Sequence, residues 1–76
     1  MLISVKTVGT LRTLEEGTRF DSLEVPDPSS VSEVISLLGL KDWEVGLVLI
    51  NDLHATKDSV LKDQDRLTLI APLVGG

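Results

Sequence analysis

Hydrophobic and polar residues alternate in three segments of the chain, which is the pattern typical of strands with one buried face. These segments cover residues 1–8, residues 20–25 and residues 66–71. Between the last two, residues 45–50 have no polar side chain, which predicts an interior strand with apolar groups on both faces. A short edge strand is expected over residues 53–57.

One helix is predicted after the second strand. Ser30 is followed three residues later by Glu33, which matches a capping box, and Gly39 stands where a C-terminal cap is expected. The apolar positions between them form one stripe at helical spacing, namely Val31, Val34, Ile35 and Leu38. Five strands and one helix in this order predict an α+β roll, with a mixed four- to five-stranded sheet packed on one main helix.

A single helix covers only one face of such a sheet, so the all-apolar strand leaves hydrophobic groups on the other face. Strand alternation assigns one set of side chains to the helix, namely Val48, Ile50, Leu67 and Leu69. The same alternation directs Leu47, Leu49 and Ile70 to the open face. Two interpretations stay open: these residues form a partner-binding surface, or loops and the N-terminal turn cover them.

Composition and charge narrow the range of functions. The chain has 76 residues, 42% of them hydrophobic and 25% charged, which is typical of one small folded domain with a single core. Its net charge is -5, and its basic residues are scattered singly along the chain. We therefore expect neither nucleic acid nor an anionic membrane as a partner. The start has no signal peptide pattern, and a cytoplasmic location is expected.

Few side chains are candidates for chemistry. The chain has no cysteine and one histidine, His54, so no metal site is expected. Asp63 and Asp65 lie in a polar segment where turn formation explains them. Trp43 is expected to cap one end of the core rather than to anchor a partner. No glycine-rich phosphate-binding loop is present, and the domain is not expected to be an enzyme.

The end of the sequence is the strongest candidate for a functional group. Pro72 stops the last strand, so residues 1–71 are expected to form the domain and residues 72–76 a flexible tail. The tail residues are Pro72, Leu73, Val74, Gly75 and Gly76. Two residues without Cβ atoms can pass through a narrow channel and bring the terminal carboxylate of Gly76 to a bound nucleotide. A free carboxylate must first be activated, which requires a partner that uses ATP.

With this order of elements and this tail, the whole chain resembles the ThiS/MoaD family, the ubiquitin-like sulfur carriers with a β-grasp fold. Residues 10–14 resemble the N-terminal turn of the molybdopterin synthase small subunit, and Asn51 after residues 48–50 resembles that family's step from strand to turn. Residues 61–67 resemble its loop, although Gln64 stands where Gly is usual, so a different turn is expected. Residues 71–76 resemble its tail, with Ala71 and Leu73 replacing a common Pro and Val.

The resemblance implies that an adenylating enzyme of the ubiquitin-activating type binds ATP and transfers its AMP group to the carboxylate of Gly76. A sulfur donor then converts the carboxylate to a thiocarboxylate for cofactor biosynthesis. The sulfur is implied to pass to a biosynthetic intermediate, and the implied partner is a large catalytic subunit in the molybdopterin or tungstopterin branch, or thiazole synthase in the thiamine branch. The open sheet face and the tail are implied to dock on these partners, and the domain itself binds no cofactor.

Two alternatives remain. One is a ubiquitin-like modifier that is conjugated to target lysines through Gly76. The other is a β-grasp module that binds partners without covalent chemistry, so that its tail is incidental.

Overall fold

The computed structural model of the chain describes residues 1–9 and 19–72. The turn expected over residues 10–14 and the tail residues Leu73, Val74, Gly75 and Gly76 lie outside the described part. The described elements are five strands, one α-helix and one short 3-10 helix. They are β1 (Leu2–Val8), β2 (Arg19–Glu24), α1 (Val31–Leu37), the 3-10 helix (Asp42–Glu44), β3 (Leu47–Ile50), β4 (Leu53–Ala55) and β5 (Arg66–Ile70).

All five strands form one mixed sheet in the order β2-β1-β5-β3-β4. The first and last strands pair in parallel, and the other three pairings are antiparallel. β5 therefore lies at the centre of the sheet, between β1 and β3. This architecture confirms the predicted α+β roll with a mixed sheet and one main helix.

Helix α1 begins and ends where its capping residues predict. The side chain of Ser30 accepts from the Glu33 amide at 3.3 Å, and the Glu33 carboxylate accepts from the Ser30 amide at 3.4 Å, which completes the capping box. At the other end, Gly39 donates to the Ser36 carbonyl and Leu40 donates to the Ile35 carbonyl. Gly39 has a φ of 81°, as the C-terminal Schellman motif requires.

The core lies between α1 and one face of the sheet. The helix contributes Val31, Val34 and Ile35 to it. From the sheet come Ile3, Val5, Val48, Leu67 and Leu69, all buried, while Ile50 is partly buried and packs against the same cluster. The predicted assignment of alternate residues in β3 and β5 to the helix side is therefore confirmed. In the described ranges, no helix is long and apolar enough to cross a membrane.

The segment before β3 differs from the expectation. Residues 45 and 46 were expected in the strand, but Val45 instead follows the 3-10 helix and is buried there. The expected capping role of Trp43 is wrong, because its side chain is 62% exposed. The cause is the 3-10 turn, which directs Glu44 and Val45 inward, where the Glu44 carboxylate accepts from the Lys41 amide at 2.6 Å.

The loop before β5 is fixed by its polar side chains. Asp65 accepts from the Lys62 amide at 2.8 Å and from the Asn51 side chain at 3.0 Å. Asp63 accepts from the Leu2 amide at 2.8 Å, and this hydrogen bond is the main reason that the pKa of its carboxyl lies below the ordinary value. The two carboxylates therefore shape a turn, as predicted, and attach it to β1.

Gln64 occupies the left-handed backbone conformation in this turn, with a φ of 71°. A residue with a Cβ atom pays about 1–2 kcal/mol for that conformation, whereas glycine adopts it without strain. The turn is therefore strained at Gln64. The expectation that it is built differently from the family's turn stays a prediction.

We expect Gln64→Gly to stabilise the domain by about 0.5–1 kcal/mol, because the relief of strain exceeds the extra backbone entropy of glycine in the unfolded chain. Urea unfolding followed by circular dichroism measures this change. Gln64→Ala serves as the control, since it shortens the side chain but keeps the Cβ atom, and it should give no gain. Equal effects of the two substitutions would contradict the strain argument.

Candidate functional site

The last described residues leave the sheet at a fixed point. β5 ends at Ile70, and its carbonyl accepts from the Gly46 amide at 2.7 Å. The next residue, Ala71, donates its amide to the Val8 carbonyl at 2.9 Å. Backbone hydrogen bonds with Val8 at the end of β1 and with Gly46 just before β3 thus hold the chain up to the residue before Pro72.

Two glycines permit this close approach. A Cβ atom at Gly46 would lie 2.6 Å from the Cα atom of Pro72 and 2.9 Å from its nitrogen, distances that real Cβ atoms do not show. A Cβ atom at Gly9 would lie 3.0 Å from that of Ala71, and Gly9 has a φ of 85°. The chain therefore packs directly against the backbone at Gly46, which fixes the position of Pro72.

The chain leaves the sheet at Ala71 and Pro72, and we refer to this point as the exit. An apolar row crosses the open face of the sheet beside it. It consists of Val8, Ile70 and Leu47, which lie next to one another in strand register across β1, β5 and β3. Val8 and Leu47 are each 46% exposed, and Ile70 is half-buried. Leu49 is also half-buried and pairs with Thr68 one step further along the strands.

Strand alternation thus placed Leu47, Leu49 and Ile70 on the open face, as predicted. Their role in binding a partner stays a prediction. Val8 was not predicted, although it continues the same alternation in β1 at the end of the first segment. The close approach of Gly46 to Pro72 had no signal in the sequence, because it depends on the pairing of β3 with β5.

Of the predicted tail residues, the structure describes Pro72 alone, which is exposed. Chain geometry still limits the position of the terminal carboxylate. Four further residues span at most about 14 Å when fully extended. A carboxylate at Gly76 would therefore lie within that distance of Pro72.

No group of three or more His, Asp or Glu residues in the described ranges has the geometry to hold a metal ion. His54 is exposed on the edge strand β4, opposite Leu49. The features that converge at one place are the exit of the chain and the apolar row beside it.

Comparison with known proteins identifies the relationship. The ThiS family model matches residues 5–76, nearly the whole chain and its end included. The chain belongs to the ThiS family. A search of curated proteins gave no significant match.

Two solved structures share this fold. One is the crystal structure of SAMP1 from Haloferax volcanii, with 20% identity and a TM-score of 0.68 over the full length of both chains. The other is a chain of the complex of subunits 1 and 2 of molybdopterin-converting factor from Helicobacter pylori 26695, with 28% identity and a TM-score of 0.63, again over the full length of both. They confirm the predicted β-grasp fold.

We expect Gly46→Ala to destabilise the domain by about 1–3 kcal/mol, because the new Cβ atom meets backbone atoms that cannot rotate away. Urea unfolding of Gly46→Ala, Pro72→Ala and the double variant measures the coupling between the two sites. Pro72→Ala frees the backbone torsion that proline fixes, so the double variant should recover part of the loss. Strictly additive effects would contradict direct contact between Gly46 and Pro72.

Proposed function

We propose that this protein is a sulfur carrier, and that the carboxylate of its C-terminal Gly76 is the group that carries the sulfur. The observation that carries the proposal is the match to the ThiS family, which extends through Gly75 and Gly76. The fixed exit at Ala71 and Pro72 supports it, because the exit leads the chain from the centre of the sheet into those residues.

The chemistry follows from the reactivity of a carboxylate. One of its oxygens attacks the α-phosphate of an ATP that the partner enzyme holds, and pyrophosphate leaves. A sulfur nucleophile at the oxidation level of sulfide then attacks the carbonyl carbon of Gly76, and AMP leaves with the bonding electron pair. The product is a thiocarboxylate, which gives up its sulfur to the acceptor of the pathway.

The domain supplies position rather than catalysis in this scheme. Its backbone fixes the start of the tail, and the absence of Cβ atoms at Gly75 and Gly76 lets the end enter a narrow active site of the partner. ATP and the sulfur donor act on the partner's side. The carrier therefore needs neither a cofactor nor a nucleophilic side chain of its own.

We propose the molybdopterin branch over the thiamine branch. The support is the similarity to a chain of a complex that contains both subunits of molybdopterin-converting factor. By this analogy, an adenylating enzyme loads the carrier with sulfur, and a large catalytic subunit binds the loaded carrier together with the intermediate that receives the sulfur. Both partners would dock on the apolar row, so that loading and delivery exclude each other at any one moment.

The intact mass of the protein tests the proposal directly. After incubation with the adenylating enzyme of the same organism, ATP and sulfide, we expect the mass change that corresponds to replacement of one oxygen by sulfur. A variant that lacks Gly75 and Gly76 should show no change, because its terminal residue no longer fits the partner's channel. Larger adducts on lysines would identify a modifier instead. Binding of the partner by the shortened chain at full affinity, with no mass change in either protein, would identify a non-covalent module.

We expect Leu47→Ala to weaken binding of the adenylating enzyme by about tenfold, because the truncation removes apolar area that binding would bury, at about 25 cal/mol per Å². Leu53→Ala is the matched control. Leu53 is 73% exposed and pairs with Ile50, whose side chain faces the helix, so Leu53 lies on the opposite face of the sheet from the apolar row. Isothermal titration calorimetry measures both affinities, and equal effects would refute the assignment of the apolar row.

A further inference from the structure

Charge is unevenly distributed over the sheet. The chain has a net charge of -5, yet β1, β3, β4 and β5 contain no aspartate or glutamate. Their charged residues are Lys6 in β1 and Arg66 in β5. The remaining strand, β2, begins with Arg19 and also contains Asp21 and Glu24, so the positive charges of the sheet lie on the three adjacent strands β2, β1 and β5.

Strand register brings these three cations together. Lys6 pairs with Arg19 across the antiparallel β1–β2 ladder, and Arg66 pairs with Ser4, two residues before Lys6 on the same face. Directly opposite residues have Cβ atoms about 5 Å apart, and diagonal neighbours about 7–8 Å apart. We refer to Lys6, Arg19 and Arg66 as the cation cluster.

The cation cluster surrounds a shallow cavity of about 170 Å³ on the open face. Thr68 also lines the cavity and is only 5% exposed, so it forms part of the floor. Asp52 is the one carboxylate among the lining residues. The cavity therefore offers cationic and hydroxyl groups around an opening large enough for a carboxylate group.

The cation cluster contributes little to the stability of the fold. Like charges directly opposite each other on neighbouring strands, as at Lys6 and Arg19, are destabilising. The ion pairs of Arg19 with Asp21 at 2.9 Å and of Arg66 with Asp52 at 3.5 Å are largely exposed, and exposed pairs contribute little. Within the described ranges, no carboxylate forms an ion pair with Lys6.

We propose that the cation cluster binds aspartate or glutamate side chains of the protein that docks on the open sheet face. This inference rests on the proposed function and adds the chemistry of the partner's surface. Arg66 lies four residues before Ile70 in β5, which corresponds to about 13 Å along the strand. Lys6 lies only two residues before Val8, which corresponds to about 7 Å. The partner therefore presents an apolar patch to the apolar row and carboxylates about 7–13 Å from it, further from the end of β5.

The overall charge favours a protein carboxylate over a nucleic acid. A polyanion that extends past the cavity meets the acidic loops of a chain with a net charge of -5, whereas one or two carboxylates contact the cation cluster alone. The apolar row on the same face also matches a mixed protein interface, which has an apolar centre and a charged rim.

The test compares two doubly substituted variants that lower the net charge equally. Lys6→Glu with Arg66→Glu alters the cation cluster, and Lys41→Glu with Lys62→Glu alters exposed lysines that do not line the cavity. The affinity of each for the adenylating enzyme is measured at about 50 mM and about 500 mM salt, because screening weakens contacts between exposed charges. Urea unfolding of both variants confirms that they fold.

We expect the cluster variant to bind about tenfold more weakly than the wild type at low salt, with most of that difference lost at high salt. The control variant should bind within about twofold of the wild type. Equal weakening in the two variants, or none in either, would overturn the proposal. The mass measurement on the wild type reports separately on the proposed function, so the two failures are distinguishable.

If the adenylating enzyme does not bind the wild type, a second measurement tests the proposal without it. Hexaglutamate peptide is titrated into the isolated protein and followed by amide chemical shifts. Shifts at Lys6 and Thr68 that are absent in the cluster variant support the proposal. No shift there, or the same shifts with inorganic phosphate or a single-stranded oligonucleotide, would overturn the assignment to carboxylate side chains of a protein.

Discussion

The pairing of the last strand with the first is the interaction on which the rest of the structure depends. β5 lies between β1 and β3, and its alternate residues Leu67 and Leu69 are fully buried against the helix. The same strand carries Ile70 into the apolar row, and its end is held by Val8 and Gly46. The core, the apolar row and the position of Pro72 therefore depend on one central strand, and a change in its register would displace all three.

Local features of the sequence predicted most of the fold. The capping box and the Schellman glycine fix the ends of α1 through contacts within a few residues, so their signals are visible in the sequence. Alternation of apolar and polar residues predicted β1, β2 and β5, and the all-apolar run and the short segment after it predicted β3 and β4, with small differences at the strand ends. The exception is the segment at Trp43 and Val45, where a 3-10 turn exposes the indole. An all-apolar run does not show which of its residues belong to the turn before the strand.

The candidate site was only partly predictable, because it depends on contacts between distant segments. Gly76 was identified by chain position and residue type, and Leu47 by strand alternation. The approach of Gly46 to Pro72 requires the order of strands in the sheet, which the sequence pattern does not specify. For the same reason Lys6 and Arg66 look like scattered charges in the sequence, although the parallel pairing of β1 and β5 makes them neighbours.

The central claim is that the terminal carboxyl group of Gly76 is the atom group that a partner activates. Exchange of labelled pyrophosphate into ATP, catalysed by the adenylating enzyme, measures that activation before any sulfur is involved. A semisynthetic protein that differs only by a C-terminal amide provides the comparison. The account predicts exchange that depends on the natural protein and is absent with the amide, and equal exchange with both proteins would contradict it.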